Sequence, residues 1–309
     1  MPDDGVLSQN YIQDGRSFNL RVHEARAYGA EWQRTLAHFN SQRLRPSLPT
    51  FDWRTQLEHD TDLRLHEGEW VEYERFAIAK SLDAVPRDPD TFLEGFEALR
   101  ESGPGQNDRL FPYLAQDATF PQMCWFIAQE MAGEAGFDDL VALTQIKLST
   151  QAKLELARNY WDEMGRGHEE AMHGPMLERI AAALGVQSAI GDTVPESLAL
   201  ANMMVALATN RRYAFQSLGA LGVIEMTSPT RVGFVDRGLA RLGVAPRARQ
   251  YYKIHATLDV KHSAAWNREV LRSIVTLDPS AAPALFEGAL LRLRLGQRCY
   301  ERYRREFGI

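Results

Sequence analysis

The stretch YYKIHATLDVKH, residues 251–262, sets His255, Asp259 and His262 at HxxxDxxH spacing. At about 100° per residue, these three side chains fall within about 60° of arc on one helix face. Two imidazoles and a carboxylate then point the same way over roughly two helical turns. A solvated polar face, or core histidines satisfied by hydrogen bonds, has the same spacing, so the motif needs company before it implies chemistry.

Outward from this stretch the chain reads as helix almost throughout. From Trp53 onward apolar residues recur at helical spacing and β-branched alternation is scarce. Pro121 starts a helix that runs through Met131, and Thr193 followed by Pro195-Glu196 starts another. Ser228-Pro229 and Asp278-Pro279 mark two further starts, and Gly133, Gly136, Gly185, Gly191 and Gly243 mark stops. About eight to ten helices with short connections predict an all-α, single helical bundle over residues 53–309. Residues 1–52 are polar and end in the proline-marked RLRPSLPTFDW. They read as an N-terminal arm, extended or partly helical, that packs on the body.

Composition narrows the function classes. With 309 residues and 45% hydrophobic content, the chain can bury a large core. Its net charge of −6 is spread among interspersed acids and bases, which gives no footprint for nucleic acid. No apolar run approaches the roughly 18 residues that span a bilayer, so no membrane partner is expected. The N-terminus MPDDGVLSQN lacks a basic start and an apolar core, and so shows no secretory signal. Cys124 and Cys299 form neither a disulfide framework nor a CxxC motif, and a cytoplasmic location follows as the expectation.

Company for the first motif lies upstream. GRGHEEAMH, residues 165–173, carries Glu170 and His173 as ExxH, one turn apart on a helix face. Helical bundles of the ferritin type present a carboxylate and an imidazole to iron in this way, although an exposed polar pair has the same spacing. Glu225 closes the apolar run FQSLGALGVIEM, where a carboxylate is costly to bury unless paired, protonated or bound to metal. An arginine salt bridge is the plain alternative. Together Glu170, His173, Glu225, His255, Asp259 and His262 supply three carboxylates and three imidazoles from three helices. That count and hardness suit a di-iron or di-manganese pair. Zinc would use fewer carboxylates, and no thiolate joins the set. Glu163 lies seven residues before Glu170 and, in an unbroken helix, sits about 10 Å further along. Gly165 and Gly167 would let the chain break and fold Glu163 back toward the others.

With ExxH, a mid-chain Glu and HxxxDxxH 30 residues later, the chain resembles the haem-oxygenase-like di-iron oxidases and oxygenases, the iron-containing redox enzymes. The resemblance covers roughly residues 55–305, and HxxxDxxH with its upstream Glu is its most specific part. It implies a haem-oxygenase-type bundle without haem. It also implies that Glu170, His173, Glu225, His255, Asp259 and His262 hold two Fe(II)/Fe(III) ions, with Glu225 as a bridge. O2 is the implied co-substrate, and an external reductant, delivered by an electron-donor protein, completes the set. The family's N-oxygenating branch adds a carboxylate upstream of ExxH, where Glu163 stands, and members that fragment carbon chains lack it. Glu163 therefore joins the expected ligands, and the expected reaction is N-oxygenation of a small-molecule amine or amino-acid derivative in specialised biosynthesis. Asp162, Tyr251 and Tyr252 are placed to orient the ligating imidazoles. Two rival readings stand beside this one: a di-iron oxidase that desaturates a fatty acid or amino acid or cleaves its C–C bond, and a metal-free helical protein that binds a small molecule. A homodimer is expected in either enzyme reading.

Overall fold

Helix is what this sequence can form, and the computed structural model is helical. It describes residues 10–13, 16–19, 29–134 and 136–309. Part of the N-terminal arm therefore lies outside the described residues. Within the arm, Asn10–Gln13 pairs antiparallel with Arg16–Asn19 as a short hairpin. The arm's helix, α1 (Ala30–Leu44), buries Gln33, Leu36, Phe39 and Asn40.

The body begins with α2 (Trp53–Ile78), α3 (Pro89–Ser102), α4 (Leu110–Gln116), α5 (Phe120–Glu134) and α6 (Phe137–Thr144). It continues through α7 (Thr150–Glu163), α8 (His173–Leu184), α9 (Pro195–Thr209) and α10 (Ala214–Arg241). The last segments are α11 (Gln250–Ala265), a π-helical stretch Trp266–Arg272 that continues it, α12 (Ser273–Leu277) and α13 (Ala282–Phe307). The starts at Pro121, Pro195 and Asp278-Pro279 fall where helices begin, whereas Ser228-Pro229 does not. Pro229 sits inside α10. It removes only the hydrogen bond that its missing N–H would give the Glu225 carbonyl, and the packing on both sides carries the helix through.

α9 and the first half of α10 are buried nearly all round, as expected of helices with no polar stripe. α10 packs most extensively on α13 and α11 and forms the centre of the bundle. Where α10 meets α13 the two backbones touch: a Cβ added at Gly219 would overlap the Leu285 carbonyl, and one at Gly288 the Gln216 carbonyl. On the other side, the fully buried Trp266 opens the π-helical stretch and donates from Nε1 to the Leu218 carbonyl at 3.2 Å. A π-stretch is uncommon and recurs at functional sites. This one begins four residues after His262. α1 seats on α9 through a buried amide relay. Asn40 Nδ2 donates to Asn202 Oδ1 at 2.9 Å, and Asn202 Nδ2 donates to Gln33 Oε1 at 2.8 Å. Among the described residues no single helix is long and apolar enough to cross a membrane.

Candidate metal centre

Glu163 is the last residue of α7, and the chain turns back directly after it. Gly165, Arg166 and Gly167 all take positive φ, at 60°, 54° and 85°. A Cβ at Gly165 would overlap the backbone at Ala171–Met172, so glycine is what lets the returning chain pass. Two short 3-10 turns, Gly165–Gly167 and Glu169–Ala171, lead into α8, which His173 opens. The reversal brings His173 Nδ1 to 2.5 Å from Glu163 Oε2.

This turn corrects the reading of ExxH as a helical pair. Glu170 lies in the 3-10 turn ahead of α8 and is exposed, while its carbonyl accepts from Arg179 Nη2 at 2.9 Å. It stands apart from the other six residues because a helical spacing rule does not hold across a helix end. The fold-back at Gly165 and Gly167, by contrast, is as the two glycines suggest, and Glu163 takes the inner position.

The remaining groups come from α10 and α11. Glu225 is 2% exposed, and its Oε1 accepts from Asn159 Nδ2 at 2.6 Å. Its Oε2 lies 3.5 Å from His262 Nδ1, and the His262 Nε2 lies 3.0 Å from Asp162 Oδ2. Asp162 is held in turn by Arg166 Nε at 2.6 Å. His255 Nδ1 donates to the Tyr251 carbonyl at 2.7 Å, which leaves Nε2 as the lone-pair nitrogen. The His255 and His173 rings meet edge to face with centroids 4.4 Å apart. Ser228 Oγ donates to Asp259 Oδ2, whereas the buried Asp259 Oδ1 has no hydrogen-bond partner among the described residues.

Two sets of donor atoms result, each lying within 4.8 Å: Glu163, His173 and His255, and Glu163, Glu225 and His262. Glu163 belongs to both sets and Glu225 to one. Asp259 lines the same 50 Å³ cavity as Glu163, Glu225, Ser228 and His255, and Phe137, Ile224 and Val232 form its apolar wall. Asn159 and Ser228 escaped the reading of the sequence. Each was findable, since Asn159 precedes Glu163 by four residues and Ser228 follows Glu225 by three, spacings that share a helix face.

The electrostatics are those of a site short of positive charge. Neither Glu225 nor Asp259 has a lysine or arginine partner among the described residues, which removes the arginine salt bridge as the explanation for Glu225 and leaves it paired with His262. Burial, then the charges of Glu225 and Glu163, push the Asp259 carboxyl far above the usual carboxylate range. Burial works against a charged His262, but the hydrogen bonds and charges of Glu225, Asp162 and Asp259 outweigh it and raise the imidazole to about 9. Oxygen and imidazole donors without thiolate, plus an orphaned buried carboxylate oxygen, fit a hard or borderline cation such as iron or manganese.

A pH dependence follows for the protein without metal. His262 contributes stability that is complete below its ordinary 6.5 and is lost as pH rises through about 9. Asp259 acts in the same direction. Its raised value means the fold holds a proton that the unfolded chain releases from about pH 4 upward. Thermal melts of the metal-free protein should therefore show Tm falling steadily from pH 6 to pH 9. The iron-loaded protein should lose this slope, because bound metal replaces the protons. Metal-free melts that stay flat over this range would contradict the burial argument.

The comparisons with known proteins agree with the geometry. A sequence model of the iron-containing redox enzyme family matches residues 124–297. The structure resembles a CADD-like protein of unknown function from Nostoc punctiforme PCC 73102, at 20% identity and a TM-score of 0.53, over 71% of this chain and 95% of that one. A second crystal structure of that protein gives 18% identity and a TM-score of 0.50, over 78% and 98%. A domain of unknown function with a heme oxygenase-like fold from Shewanella denitrificans OS217 gives 16% identity and a TM-score of 0.45, over 71% and 90%. No curated protein matches the chain. Fold and site together define an all-α redox protein of the haem-oxygenase-like class. The chain belongs to the iron-containing redox enzyme family.

Proposed function

We propose that the chain is a non-haem di-iron, O2-dependent oxygenase that adds oxygen to the nitrogen of a small amine or amino-acid derivative. The observation that carries this reading is Glu163, buried between two donor sets that share it. Two bound iron ions would supply the electrons that reduce dioxygen, with an electron-donor protein restoring them. The chain's own residues do the rest. The Tyr251 carbonyl fixes the His255 ring so that Nε2 faces Glu163 and His173. Asp162, anchored by Arg166, holds His262 Nε2 and leaves Nδ1 toward Glu225. Ser228 Oγ donates to Asp259 Oδ2 at the cavity wall, which places a carboxyl that can hold a proton close to where oxygen chemistry consumes protons. Phe137, Ile224 and Val232 keep bulk water out.

The two rival readings gain less support. An oxidase acting on a fatty chain wants a long apolar pocket beside its metal, and the cavity at these ligands measures only 50 Å³. A metal-free binding protein wants its acids neutralised by bases, and three carboxylates, Glu163, Glu225 and Asp259, crowd one small cavity in which no lysine or arginine pairs with Glu225 or Asp259 among the described residues. A homodimer in the cytoplasm belongs to the proposal as well.

Stopped-flow absorbance tests the proposal. Anaerobic protein carrying two Fe(II) per chain is mixed with O2. We expect a transient visible band that His255→Ala and Glu225→Ala abolish, and ¹⁸O from ¹⁸O2 in an N-oxygenated product of an amine screen. Protein that takes up no stoichiometric iron and shows no transient would end the oxygenase reading.

A further inference from the structure

A second cavity lies across α10 from the metal centre. Glu225, Ser228 and Val232 face the donor cluster. Thr227, Thr230, Arg231 and Phe234, displaced by roughly half a turn on the same helix, line a separate cavity of about 330 Å³. Its other wall is the end of α3 and the start of α4, including Arg100 and Phe111.

Arg231 is a cation there without an anion. Its Nη1 donates to the Tyr300 hydroxyl and its Nη2 to Thr227 Oγ1 at 3.0 Å, both neutral acceptors. Among the described residues it joins no ion pair, although it is half-buried. Arg292 also lies close to Tyr300. A Cβ at Gly296 would lie 2.8 Å from Arg292 Nη1 and 3.5 Å from the Tyr300 hydroxyl, so both groups crowd the same spot on α13. Arg292 Nη1 is buried and makes no hydrogen bond among the described residues. Two guanidinium groups therefore lie near one phenol, and neither makes an ion pair among the described residues, although the Glu130 carboxylate is close enough to act on Tyr300 as well.

The acids of this cavity are spoken for or peripheral. Asp108 pairs with Arg304 and accepts from the Leu110 N–H at 2.9 Å. Glu101 is exposed at the rim, as is Arg100. Burying cationic groups without a counter-charge is costly, and a bound anion offsets that cost. Phe111, Pro112 and Phe234 give the same space an apolar side, and its volume falls in the range of small-molecule sites.

We infer that this cavity binds a small anion on an apolar body, a carboxylate or a phosphate ester, with Arg231 as its anchor and Arg100 at its mouth. The site is distinct from the metal centre and stands whether or not the oxygenase reading holds. Binding is read by titration calorimetry of the full chain with benzoate, phenyl phosphate and neutral benzyl alcohol. Saturable binding of one anion per chain is expected, and the preference between benzoate and phenyl phosphate identifies the head group. Arg231→Gln should weaken that binding about tenfold or more, as loss of a charge-assisted contact does. Glu225→Ala, on the other face of α10, should leave it unchanged. If Arg231→Gln fails to fold, the exposed Arg100→Gln decides, with a weakening of severalfold expected. Absence of saturable binding by both anions overturns the inference. So does binding that the deciding variant does not weaken, or benzyl alcohol binding as tightly as the anions.

Discussion

Replacing Glu163 with alanine is expected to empty both of the proposed metal positions at once. The residue belongs to both donor sets, so its loss removes a ligand from each, while every other member of the two sets belongs to one. Removing even a group that only orients a ligand weakens metal binding about 10- to 100-fold, and losing a ligand itself should exceed that. Iron per chain after anaerobic loading and desalting is the readout. Glu163→Ala should retain almost none, His173→Ala and His262→Ala should each retain about half the unmodified content, and Glu170→Ala should retain all of it. The contrast between the two glutamates is the strongest part of the test, because Glu170 is exposed and Glu163 is 4% exposed beside His173. A Glu170→Ala variant that lost iron while Glu163→Ala kept it would hand the ligand role back to the helical ExxH reading.

The difference between those two glutamates shows where sequence reasoning holds and where it stops. His255, Asp259 and His262 were readable as one face because α11 is unbroken between them, and a constant rotation per residue then fixes their directions. Glu225 stood out because its neighbours left no solvent-facing explanation for a charge. The all-α class was equally plain, since almost nothing after Trp53 alternates with a period of two. Between Glu163 and His173 the reasoning had no such footing. Three consecutive positive φ values end α7, and the approach of His173 to Glu163 is set by loop geometry that no periodicity encodes. Pro229 failed in the opposite sense. It reads as a helix start, yet tertiary packing on α10 outweighs one lost hydrogen bond. The cation pair around Tyr300 was beyond reach for a third reason, because Arg231 and Arg292 sit on different helices and neither spacing signals the other.

Gly288→Ala should be, with Gly219→Ala, among the most damaging single methyls at the described glycines. α10 carries Glu225 and α13 is its largest neighbour, so the distance between them sets where that carboxylate sits. At Gly288 the added Cβ meets the Gln216 carbonyl oxygen, a backbone atom in the first turn of α10 that no rotamer change can move aside. The helices must separate, and with them goes a buried polar junction. Glu287 Oε2 accepts from Gln216 Nε2 at 2.8 Å and from Arg75 Nε at 2.8 Å, and it is 4% exposed. Overpacking at a rigid contact costs about 1–3 kcal/mol, and a stranded buried carboxylate adds about as much again. A loss of about 4 kcal/mol lowers Tm by roughly 6 °C in a chain of this size. Gly68 supplies the control. It too lies inside a helix, α2, but a Cβ there meets nothing within 4 Å. Gly68→Ala should therefore raise stability by about 0.5–1 kcal/mol through helix propensity alone. Urea unfolding of the two variants should move in opposite directions. If Gly288→Ala unfolded at the same urea concentration as the unmodified chain, the backbones of α10 and α13 could not be in the close contact that leaves no room for a methyl.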